Sequence, residues 1–400
     1  MGPLKILQVS PAYAPAFVYG GPIISIHNLC KHLVRMGVQV DVLTTNANGN
    51  SLSGVPLNRF IDRDGVGVMY SPADVLNPFI FSIGLWKRIR SLIASYDLVH
   101  IQSVFTFNTL WAAGNARREK IPYVISPRGS LVKGLVDRHG GMRKRMWLRF
   151  VDRPNLESAS AVHLTTEHER LAMRELGVSP RREEVIPNGV EIPDDGVPCA
   201  VPQDFRRRWG LADGDRLVLF LGRMNWEKGL DLLIPAFAEV SARYPDAVLL
   251  LAGPDTDGYL ARVMKRAAAS NVAGRIVATG QLNEADKWCA LRECELVVLP
   301  SYSENFGLAS LEGAAAGKPV VVSKEVGVSP EIREAGAGVV TEVTSDSIAR
   351  AITGLMKNPG EAIHMGERGR NLVRERYLWS SVARKMLDLY EDILHSGNAG

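Results

Sequence analysis

Short apolar runs alternate with longer amphipathic stretches along the whole chain. Five runs in each half have the length and composition of buried strands, and helical patterns lie between them. The first-half runs are "LKILQVS", "VQVDVLTT", "DLVHIQS", "PYVISP" and "SAVHLTT"; the second-half runs are "RLVLFLG", "AVLLLAG", "RIVATG", "ELVVLP" and "PVVVS". Strands that are almost continuously apolar are typical of parallel sheets covered by helices on both faces. The pattern therefore predicts an α/β protein with two doubly wound, Rossmann-like domains.

A stretch without periodicity separates the two halves. Residues 187–204, "PNGVEIPDDGVPCAVPQD", are rich in proline, glycine and acidic residues, which is typical of a linker between domains. We predict an N-terminal domain over 1–192 and a C-terminal domain over 200–375. In the first half the helical patterns lie near 22–36, 82–94, 106–119, 142–151 and 166–176.

Composition narrows the class of protein. The 400 residues are 46% hydrophobic and 22% charged, as in an ordinary soluble globular protein. A net charge of +4 is too small by itself to imply nucleic acid. Four cysteines form no CxxC pair, which argues for a reducing compartment and against structural zinc. The N-terminus lacks a signal-peptide pattern, and the longest apolar stretch (75–86) is interrupted by proline, so we expect a cytoplasmic protein.

The stretch "SENFGLASLEGAAAGKP" (303–319) places two glutamates eight residues apart around a predicted helix over 306–316. Glu312 shares the apolar face of that helix, and a buried carboxylate is costly unless it has a hydrogen-bonding partner. Glu304 lies in the preceding loop, beside N–H groups that a helix start leaves free. Those groups belong to Asn305, Phe306, Gly307 and Leu308. Each glutamate also has a structural explanation, as a helix-dipole partner or as a carboxylate satisfied by a core donor.

A second loop, "LGRMNWEKGLDLL" (221–233), follows a strand and opens a helix. Arg223 and Lys228 bring two cations to that helix start, which suits a diphosphate better than a single carboxylate. The alternative is ordinary surface pairing with Glu227 and Asp231. The chain has no GxxxxGK[ST] sequence here, so an ATP-hydrolysing P-loop is not predicted.

A third loop, "YGGP" (19–22), follows the first strand and opens a helix. Gly20 and Gly21 would let the backbone approach a ligand closely, although a tight turn explains them equally well. It is not a GxGxxG fingerprint. A sugar attached to a diphosphate would use all three loops, since its phosphates suit cations and N–H groups and its hydroxyls suit Glu304 and Glu312.

These motifs together resemble the retaining glycosyltransferases of family 4, which have the GT-B fold. The spacing of Glu304 and Glu312 matches the E-x7-E motif of that family, and 222–229 matches its G-R-x4-K-G loop. "YGGP" is similar to the N-terminal glycine loop, and "VIPNGVE" (185–191) to the end of the first domain. "RYLWSSVARKMLDLY" (376–390) looks like the C-terminal helix that crosses back. The resemblance implies two domains facing each other across a cleft, with helix 378–396 packed on the N-terminal domain.

The resemblance also implies roles. Arg223 and Lys228 would hold the donor diphosphate, Glu304 the donor-sugar hydroxyls, and Glu312 the ribose hydroxyls. The other implied donor-binding residues are Gly20, Gly21, Gly222, Val277, Thr279, Asn305, Phe306, Gly307 and Leu308. No metal and no cofactor is expected, because cationic side chains and helix ends supply the positive charge and the nucleotide-sugar is a substrate. The resemblance identifies neither the nucleotide of the donor, which can be UDP or GDP, nor its sugar.

One position departs from the family pattern. Many members carry a histidine after the strand that here reads "PYVISP", and Arg128 occupies that position. Arg128 is therefore a candidate for contact with donor sugar or acceptor, and His100 is a second candidate, although a single histidine in a strand is more often structural. The N-terminal domain offers no convincing carboxylate base, which favours retention over inversion.

We therefore predict a glycosyltransferase that moves a sugar from a nucleotide-sugar to a hydroxyl acceptor. The resemblance further implies a sugar or lipid-linked acceptor in bacterial surface polysaccharide or glycolipid synthesis. The alternatives are a nucleotide-sugar epimerase of the same architecture and a non-catalytic binding protein; the complete Glu304, Glu312, Arg223 and Lys228 set argues against the latter.

A peripheral membrane contact is a further prediction. Residues 1–195 carry 23 Lys and Arg against 17 Asp and Glu. Within them, the predicted helix over 142–151 combines an apolar stripe with four basic residues, so it can rest on an anionic bilayer at the inner face of the membrane. The alternative is ordinary packing of this helix on its own domain. The stripe contains Met142, Met146, Trp147, Phe150 and Val151, and the basic residues are Arg143, Lys144, Arg145 and Arg149.

Overall fold

The computed structural model describes residues 2–76, 80–131, 141–192, 202–255 and 258–397. Residues 193–201 of the predicted linker and 132–140, which precede the predicted basic helix, lie outside the described residues. The chain divides into two compact units. The first contains Met1–Gly189 and Trp379–Gly400, and the second contains Val190–Leu378.

An eight-stranded sheet forms the centre of the first unit. Its strands are β1 (Lys5–Val9), β2 (Gln39–Thr45), β5 (Phe60–Arg63), β6 (Val66–Ser71), β7 (Leu98–Gln102), β8 (Tyr123–Ser126), β9 (Ala161–Leu164) and β10 (Glu183–Val185). They lie in the order β10-β9-β8-β7-β1-β2-β6-β5. Neighbouring strands are parallel except β5, which runs antiparallel to β6. A separate small hairpin pairs β3 (Ala47–Asn48) with β4 (Ser51–Leu52).

The β5–β6 hairpin was absent from the predicted elements. Two residues, Asp64 and Gly65, connect the strands, and their φ angles are +57° and +83°. This is the left-handed conformation that a tight hairpin turn requires, and Asp-Gly is a common sequence for such turns. The signal was therefore present in the sequence, but the four residues before the turn, FIDR, contain only two apolar residues and none of the four is buried, so they do not form an apolar run.

Helices cover both faces of the first sheet. They are α1 (Gly21–Arg35), α2 (Ile83–Leu92), α3 (Phe107–Arg118), α4 (Gly141–Trp147), a π-helix (Leu148–Asp152), α5 (Arg153–Glu157) and α6 (Glu167–Glu175), with short 3₁₀ helices at Phe17–Tyr19 and Ile93–Ser95. The side chains of Ser82, Thr106 and Thr166 accept hydrogen bonds from the first turns of α2, α3 and α6. These caps explain why those helices begin within one residue of the predicted position. The predicted helix over 142–151 is divided between α4 and the π-helix.

The second unit contains a six-stranded parallel sheet in the order β13-β12-β11-β14-β15-β16. Its strands are β11 (Arg216–Leu221), β12 (Ala247–Ala252), β13 (Ile276–Gly280), β14 (Leu296–Leu299), β15 (Val320–Ser323) and β16 (Gly338–Thr341). Every residue of β12, β14 and β15 is buried, as expected of parallel strands covered on both faces. The helices are α7 (Pro202–Arg208), α8 (Leu230–Arg243), α9 (Tyr259–Ala269), α10 (Glu284–Glu293), α11 (Leu308–Ala315), α12 (Ser329–Glu334), α13 (Ser345–Lys357) and α14 (Pro359–Arg376), with 3₁₀ helices at Trp226–Lys228 and Ala273–Arg275.

The last helix, α15 (Trp379–Gly397), belongs to the first unit, although it follows the whole second unit in sequence. Its apolar side packs with α1 and the first sheet in one buried cluster that includes Trp379, Met386 and Tyr390. The predicted return of the C-terminal helix is therefore confirmed. Over the described residues, no helix combines the length and the apolar composition that crossing a bilayer requires.

Candidate active site

The predicted donor residues of the second unit lie at the carboxyl edge of its sheet. From β11 the chain continues to β12 and β13 on one side, whereas β14 lies on the other side of β11 and leads to β15 and β16. The strand order therefore reverses between β11 and β14. In open parallel sheets, ligands bind at this switch point, beyond the carboxyl ends of the strands. The loops that carry Arg223, Lys228 and Glu304 follow these two strands.

The loop after β11 is held close to the loop after β14 by a glycine. Gly229 has a φ of +67°, and a Cβ atom at this position would lie 2.1 Å from the carbonyl oxygen of Pro300. Only glycine fits both the left-handed conformation and this contact. The close approach places Lys228, one residue before, against the second loop.

The Lys228 ammonium donates a hydrogen bond to the Glu304 carboxylate, and the two form an ion pair. Their side chains are 14% and 20% exposed. Glu304 is also fixed through its backbone: its N–H donates to the carbonyl of Glu325 (3.1 Å), and its carbonyl accepts from the N–H of Gly327 (2.8 Å). The carboxylate therefore has a defined position beside a cation, at the switch point.

Arg223 supplies the second cation. It is half-buried and follows β11 with one residue between. Its guanidinium forms no ion pair with any residue in the described part of the chain. A delocalised cation with five N–H donors is suited to phosphate oxygens.

The start of α11 adds backbone donors. The N–H groups of Phe306, Gly307 and Leu308 have no acceptor among the described residues. Gly307 has a φ of +97°, and a Cβ atom there would lie 2.5 Å from the Val326 side chain. A glycine is therefore needed to turn the chain from Glu304 into the helix. Aligned free N–H groups at a helix start attract anions and polar oxygens.

Glu312 has a partner that sequence reasoning missed. Lys287, on α10, donates to its Oε1 at 2.8 Å, and the two side chains are 15% and 13% exposed. Lys287 also donates to Glu284 at 2.8 Å. Burial acts to lower the pKa of Lys287, but the Glu312 and Glu284 carboxylates outweigh it and the net pKa is raised. The sequence signals only the Glu284–Lys287 spacing on one helix, because 25 residues separate Lys287 from Glu312.

The remaining predicted donor residues lie on or beside the same edge. Val277 and Thr279 are half-buried on β13, the edge strand, and the Thr279 hydroxyl donates to the Gly280 carbonyl at 2.9 Å. Gly222 directly follows β11, and Asn305 directly follows Glu304. The second unit thus brings all of its predicted residues to the carboxyl edge of one sheet.

In the first unit the strand order reverses between β1 and β7. Gly20 has a φ of +74° and caps α1, which begins at Gly21. A Cβ atom at Gly21 would meet nothing within 4 Å, so the structure imposes no steric need for glycine there. Both glycines lie where the segment that follows β1 enters α1, and ligands are expected in segments that follow the carboxyl ends of such strands.

The loop after β7 is strained, and sequence reasoning missed the residue that holds it. Ser103 and Phe105 have φ angles of +74° and +59°. The Asp152 carboxylate accepts a hydrogen bond from the Phe105 N–H at 2.8 Å, and burial raises the pKa of Asp152 to about 7. Left-handed non-glycine residues are costly and are concentrated at functional sites.

His100 lies within β7 and is fully buried. Its Nδ1 is 2.6 Å from the Tyr390 hydroxyl, and its Nε2 is 2.7 Å from the Ser126 hydroxyl. Burial, followed by the nearby His163 and Arg128, lowers its pKa well below the usual value. Both ring nitrogens are therefore engaged inside the core. The position favours the structural explanation of His100, which the sequence left open.

Arg128 follows β8 and is half-buried, with a φ of +54°. Its Nε donates to Gln102 Oε1 and its Nη1 to Asn188 Oδ1, each at 2.8 Å. Gln102 ends β7, and Asn188 lies in the segment that closes the first unit. The structure therefore keeps Arg128 at the carboxyl edge of the first sheet, whereas His100 points into the core.

The described ranges contain no group of three or more His, Cys, Asp and Glu side chains that could hold a metal ion. Metal independence remains a prediction.

Comparison with known proteins identifies the class. A family model described as glycosyl transferases group 1 matches residues 202–372, and one described as glycosyl transferase 4-like domain matches residues 20–189. Together the two matches cover most of the chain, which therefore belongs to the family 4 glycosyltransferases of the GT-B fold. The protein is a glycosyltransferase.

Individual relatives agree with this assignment. The D-inositol 3-phosphate glycosyltransferase of Kineococcus radiotolerans is 26% identical, over 93% of this chain and 90% of that protein. The O-antigen chain mannosyltransferase C of Escherichia coli is 25% identical, over 98% of this chain and 100% of that protein. Among solved structures, HepE of Anabaena with UDP and glucose has a TM-score of 0.76 at 19% identity, covering 97% of this chain and 100% of that one. At that identity the likeness supports the fold alone.

Proposed function

We propose that this enzyme transfers a sugar, with retention, from a nucleotide-diphosphate sugar to a hydroxyl acceptor. One observation carries the proposal: the switch point of the second sheet joins two cations, a carboxylate and three N–H groups that have no acceptor among the described residues. Arg223 and Lys228 suit the diphosphate, and Glu304 suits sugar hydroxyls. HepE, a solved structure of the same fold, holds UDP and glucose, so this fold is compatible with a donor of this class; the nucleotide that this chain uses is not named by that likeness.

The leaving group of such a reaction is a nucleoside diphosphate, which gains negative charge as the bond to the sugar breaks. Arg223, Lys228 and the start of α11 are placed to stabilise that charge, since preorganised donors and cations act most strongly where charge develops. These groups supply the positive charge that a metal ion would otherwise provide, so we propose transfer without a metal. Glu312, held by Lys287, retains a second carboxylate oxygen for the ribose hydroxyls.

Retention is supported by the burial and hydrogen bonding of two carboxylates near the switch point of the first sheet. Asp152 accepts the Phe105 N–H. Glu169 accepts the N–H groups of Gly129 and Thr165 and the Thr165 hydroxyl. An inverting transferase needs a carboxylate that is available to deprotonate the acceptor. Asp152 and Glu169 are 0% and 1% exposed, so neither side chain is open to an acceptor hydroxyl, although Asp152 Oδ1 has no hydrogen-bond partner among the described residues.

The acceptor is proposed to be a sugar or a lipid-linked molecule in polysaccharide or glycolipid synthesis. The relatives named above act, by their names, on D-inositol 3-phosphate and on an O-antigen chain. Identities of 25–26% support this class of acceptor for our proposal but do not select one molecule.

We also propose that α4 and the π-helix contact an anionic membrane. Met142, Met146 and Phe150 are 80%, 56% and 67% exposed, so the structure leaves this part of the predicted stripe unpacked. Trp147 instead contacts Phe107 with ring centroids 5.1 Å apart. Core packing therefore explains Trp147, but it does not explain the three exposed side chains.

A cluster of half-buried aromatic rings continues this surface beneath α4. It consists of Phe81, Trp86, Phe107, Trp111 and Trp147, with neighbouring centroids 5.1–6.4 Å apart. Aromatic residues that keep one edge near water are favoured at the bilayer interface. Beside them, Arg143, Arg145 and Arg149 are exposed and provide the attraction to anionic lipid headgroups.

The transfer proposal is tested by incubating the protein with a panel of UDP- and GDP-sugars and a hydroxyl acceptor mixture. Release of the free nucleotide together with a new glycoside of retained anomeric configuration, read by NMR, is expected. An isomerised donor would instead identify an epimerase, and binding without any product would identify a binding protein. A glycoside of inverted configuration would refute retention alone.

The membrane proposal is tested by co-sedimentation with vesicles of phosphatidylglycerol and phosphatidylcholine. Binding should fall in an Arg143→Gln/Arg145→Gln variant and should weaken with salt, because a surface attraction is screened. The control is an Arg262→Gln/Lys265→Gln variant, which removes the same charge from the exposed side of α9. Equal binding by both variants, or no binding of the unchanged protein at low salt, would refute the contact.

A further inference from the structure

We propose that Arg128 is the counter-ion of a phosphate or carboxylate group on a substrate, at the carboxyl edge of the first sheet. This inference rests on the proposed transferase function, since it names a feature of the substrate. It makes the Arg128 position a determinant of specificity for an oxyanion, in place of the histidine that many family members carry.

Among the described residues, Arg128 donates hydrogen bonds only to neutral groups. Its Nε and Nη1 donate to the side-chain oxygens of Gln102 and Asn188, each at 2.8 Å. Its Nη2 is buried and has no hydrogen-bond partner among the described residues. Gln102 is itself held by Gln8, to whose Oε1 it donates at 2.8 Å. The guanidinium is thus fixed in position while its charge is not neutralised.

Glu169, the carboxylate whose charge acts on Arg128, forms no salt bridge with it in the described part of the chain. Burial is the largest influence on the pKa of Arg128 and lowers it. The charge of Glu169 acts in the opposite direction, but without a hydrogen bond to Arg128. The two oxygens of Glu169 are occupied by the N–H groups of Gly129 and Thr165 and by the Thr165 hydroxyl, the last two at 2.8 and 2.9 Å. Within the described residues Arg128 therefore lacks the paired carboxylate that buried guanidinium groups usually have.

The charge of Arg128 persists at neutral pH. Burial lowers its pKa to about 10, so it is protonated, whereas burial and the charge of Arg128 lower the pKa of His163 to about 3. His100 is lowered well below its usual value for the same reasons. Both histidines are therefore neutral. Of Arg128, His100 and His163, Arg128 alone is therefore charged, and burial disfavours that charge.

Such a charge is costly unless an anion approaches it. A guanidinium with a free N–H matches the oxygens of phosphate and carboxylate groups. The neighbouring loop supports a binding role, because Ser103 and Phe105 adopt left-handed conformations directly after β7, and such strain is concentrated at sites of function. Phosphorylated substrates and acidic sugars carry the required group.

The test measures anion binding by calorimetry. It uses the full chain as the double variant Arg223→Ala/Lys228→Ala, which lacks the two cations of the candidate donor site. The probes are inorganic phosphate and D-glucuronate, with D-glucose as the neutral control. Binding of at least one anion is expected, together with a loss of at least tenfold in affinity on Arg128→Gln. The control is Arg182→Gln, because Arg182 is paired with Glu184 at 2.8 Å and Asp392 at 3.3 Å; it should leave affinity unchanged.

The two probes distinguish the sources. Tighter binding of phosphate indicates a phosphorylated substrate, and tighter binding of glucuronate indicates an acidic sugar. No binding of either anion, or equal binding by Arg128→Gln, would overturn the proposal. If Arg128→Gln does not fold, the NMR resonance of the Arg128 Nε–Hε group is followed in the protein without that change, and Arg128→Lys serves to assign it. This resonance should shift when the anion is added, and an unshifted resonance would overturn the proposal. No step requires turnover of a nucleotide-sugar, so failure of the transfer proposal would be seen separately.

Discussion

Replacing Lys287 by methionine removes the cation that holds Glu312 in the second unit. Methionine has a similar length and no charge, so the change isolates the electrostatic contribution. Lys287 donates to Glu312 and to Glu284, each at 2.8 Å. After the substitution the Glu312 carboxylate, only 13% exposed, would have no side-chain partner left among the described residues. We expect Lys287→Met to destabilise the second unit.

The structure sets the size of the effect. Removing one partner of a fully buried ion pair costs about 3–5 kcal/mol. The Lys287 and Glu312 side chains keep 15% and 13% of their exposure, so water reduces that cost to about 2 kcal/mol. Glu284 is 69% exposed, and losing its pair adds at most about 1 kcal/mol. The expected loss of unfolding free energy is therefore about 2–3 kcal/mol.

Urea unfolding with linear extrapolation measures this loss. Hydrogen exchange of peptides from α10 and α11 reports whether the opening is local to these helices. Glu284→Gln is the matched control and should cost no more than about 1 kcal/mol. The double variant Lys287→Met/Glu312→Gln lacks the unpaired Glu312 carboxylate. Its unfolding free energy should therefore lie about 1–2 kcal/mol above the value expected if the two single changes were additive.

Two results would refute this reasoning. If Lys287→Met costs no more than Glu284→Gln, the buried pair contributes nothing beyond an exposed one. If the double variant is simply additive, Lys287 and Glu312 are not coupled, and the loss in Lys287→Met has another origin.

Three further predictions follow from the sites described above. Glu304→Ala and Lys228→Ala should each lower kcat at saturating donor by about 10²–10³-fold, and wild-type turnover in both would contradict their assignment. Activity should persist after dialysis against EDTA; activity that disappears and returns with Mn²⁺ would contradict metal independence. Burial lowers the pKa of His163 in the folded protein to about 3, whereas the unfolded chain takes up that proton below about pH 6.5. Neutral His163 therefore does not reduce the unfolding free energy above about pH 6.5, and stability is lost as pH falls from about 6.5 toward 3. His163→Asn should remove about 2 kcal/mol of the wild-type loss of stability between pH 7 and 5, and an unchanged slope in urea unfolding would contradict it.

Local patterns predicted most helices and strands because their causes are local. The helices α1, α2, α3 and α6 begin and end within two residues of the predicted patterns, since side-chain caps and apolar periodicity act over a few residues. The loops carrying Arg223 and Glu304 could be assigned to one edge of a sheet because parallel strands end on the same side.

Contacts between residues distant in the chain could not be predicted from local patterns. Lys287 meets Glu312 across 25 residues, and Lys228 meets Glu304 across 76. The sequence indicated that Glu312 needs a partner, yet several lysines would have satisfied the requirement. Its choice depends on how α10 and α11 pack over the second sheet.

The sequence by itself determined the alternation of strands and helices, the class of fold, and the loops that carry the candidate donor residues. Tertiary structure alone decided that His100 is enclosed by Tyr390 and Ser126, that Arg128 is held by neutral amides, and that Met142 remains exposed whereas Trp147 packs on Phe107. The physical reason is that periodicity states which residues share a face of an element. What that face meets, and hence how a charge is solvated and paired, depends on elements distant in the chain.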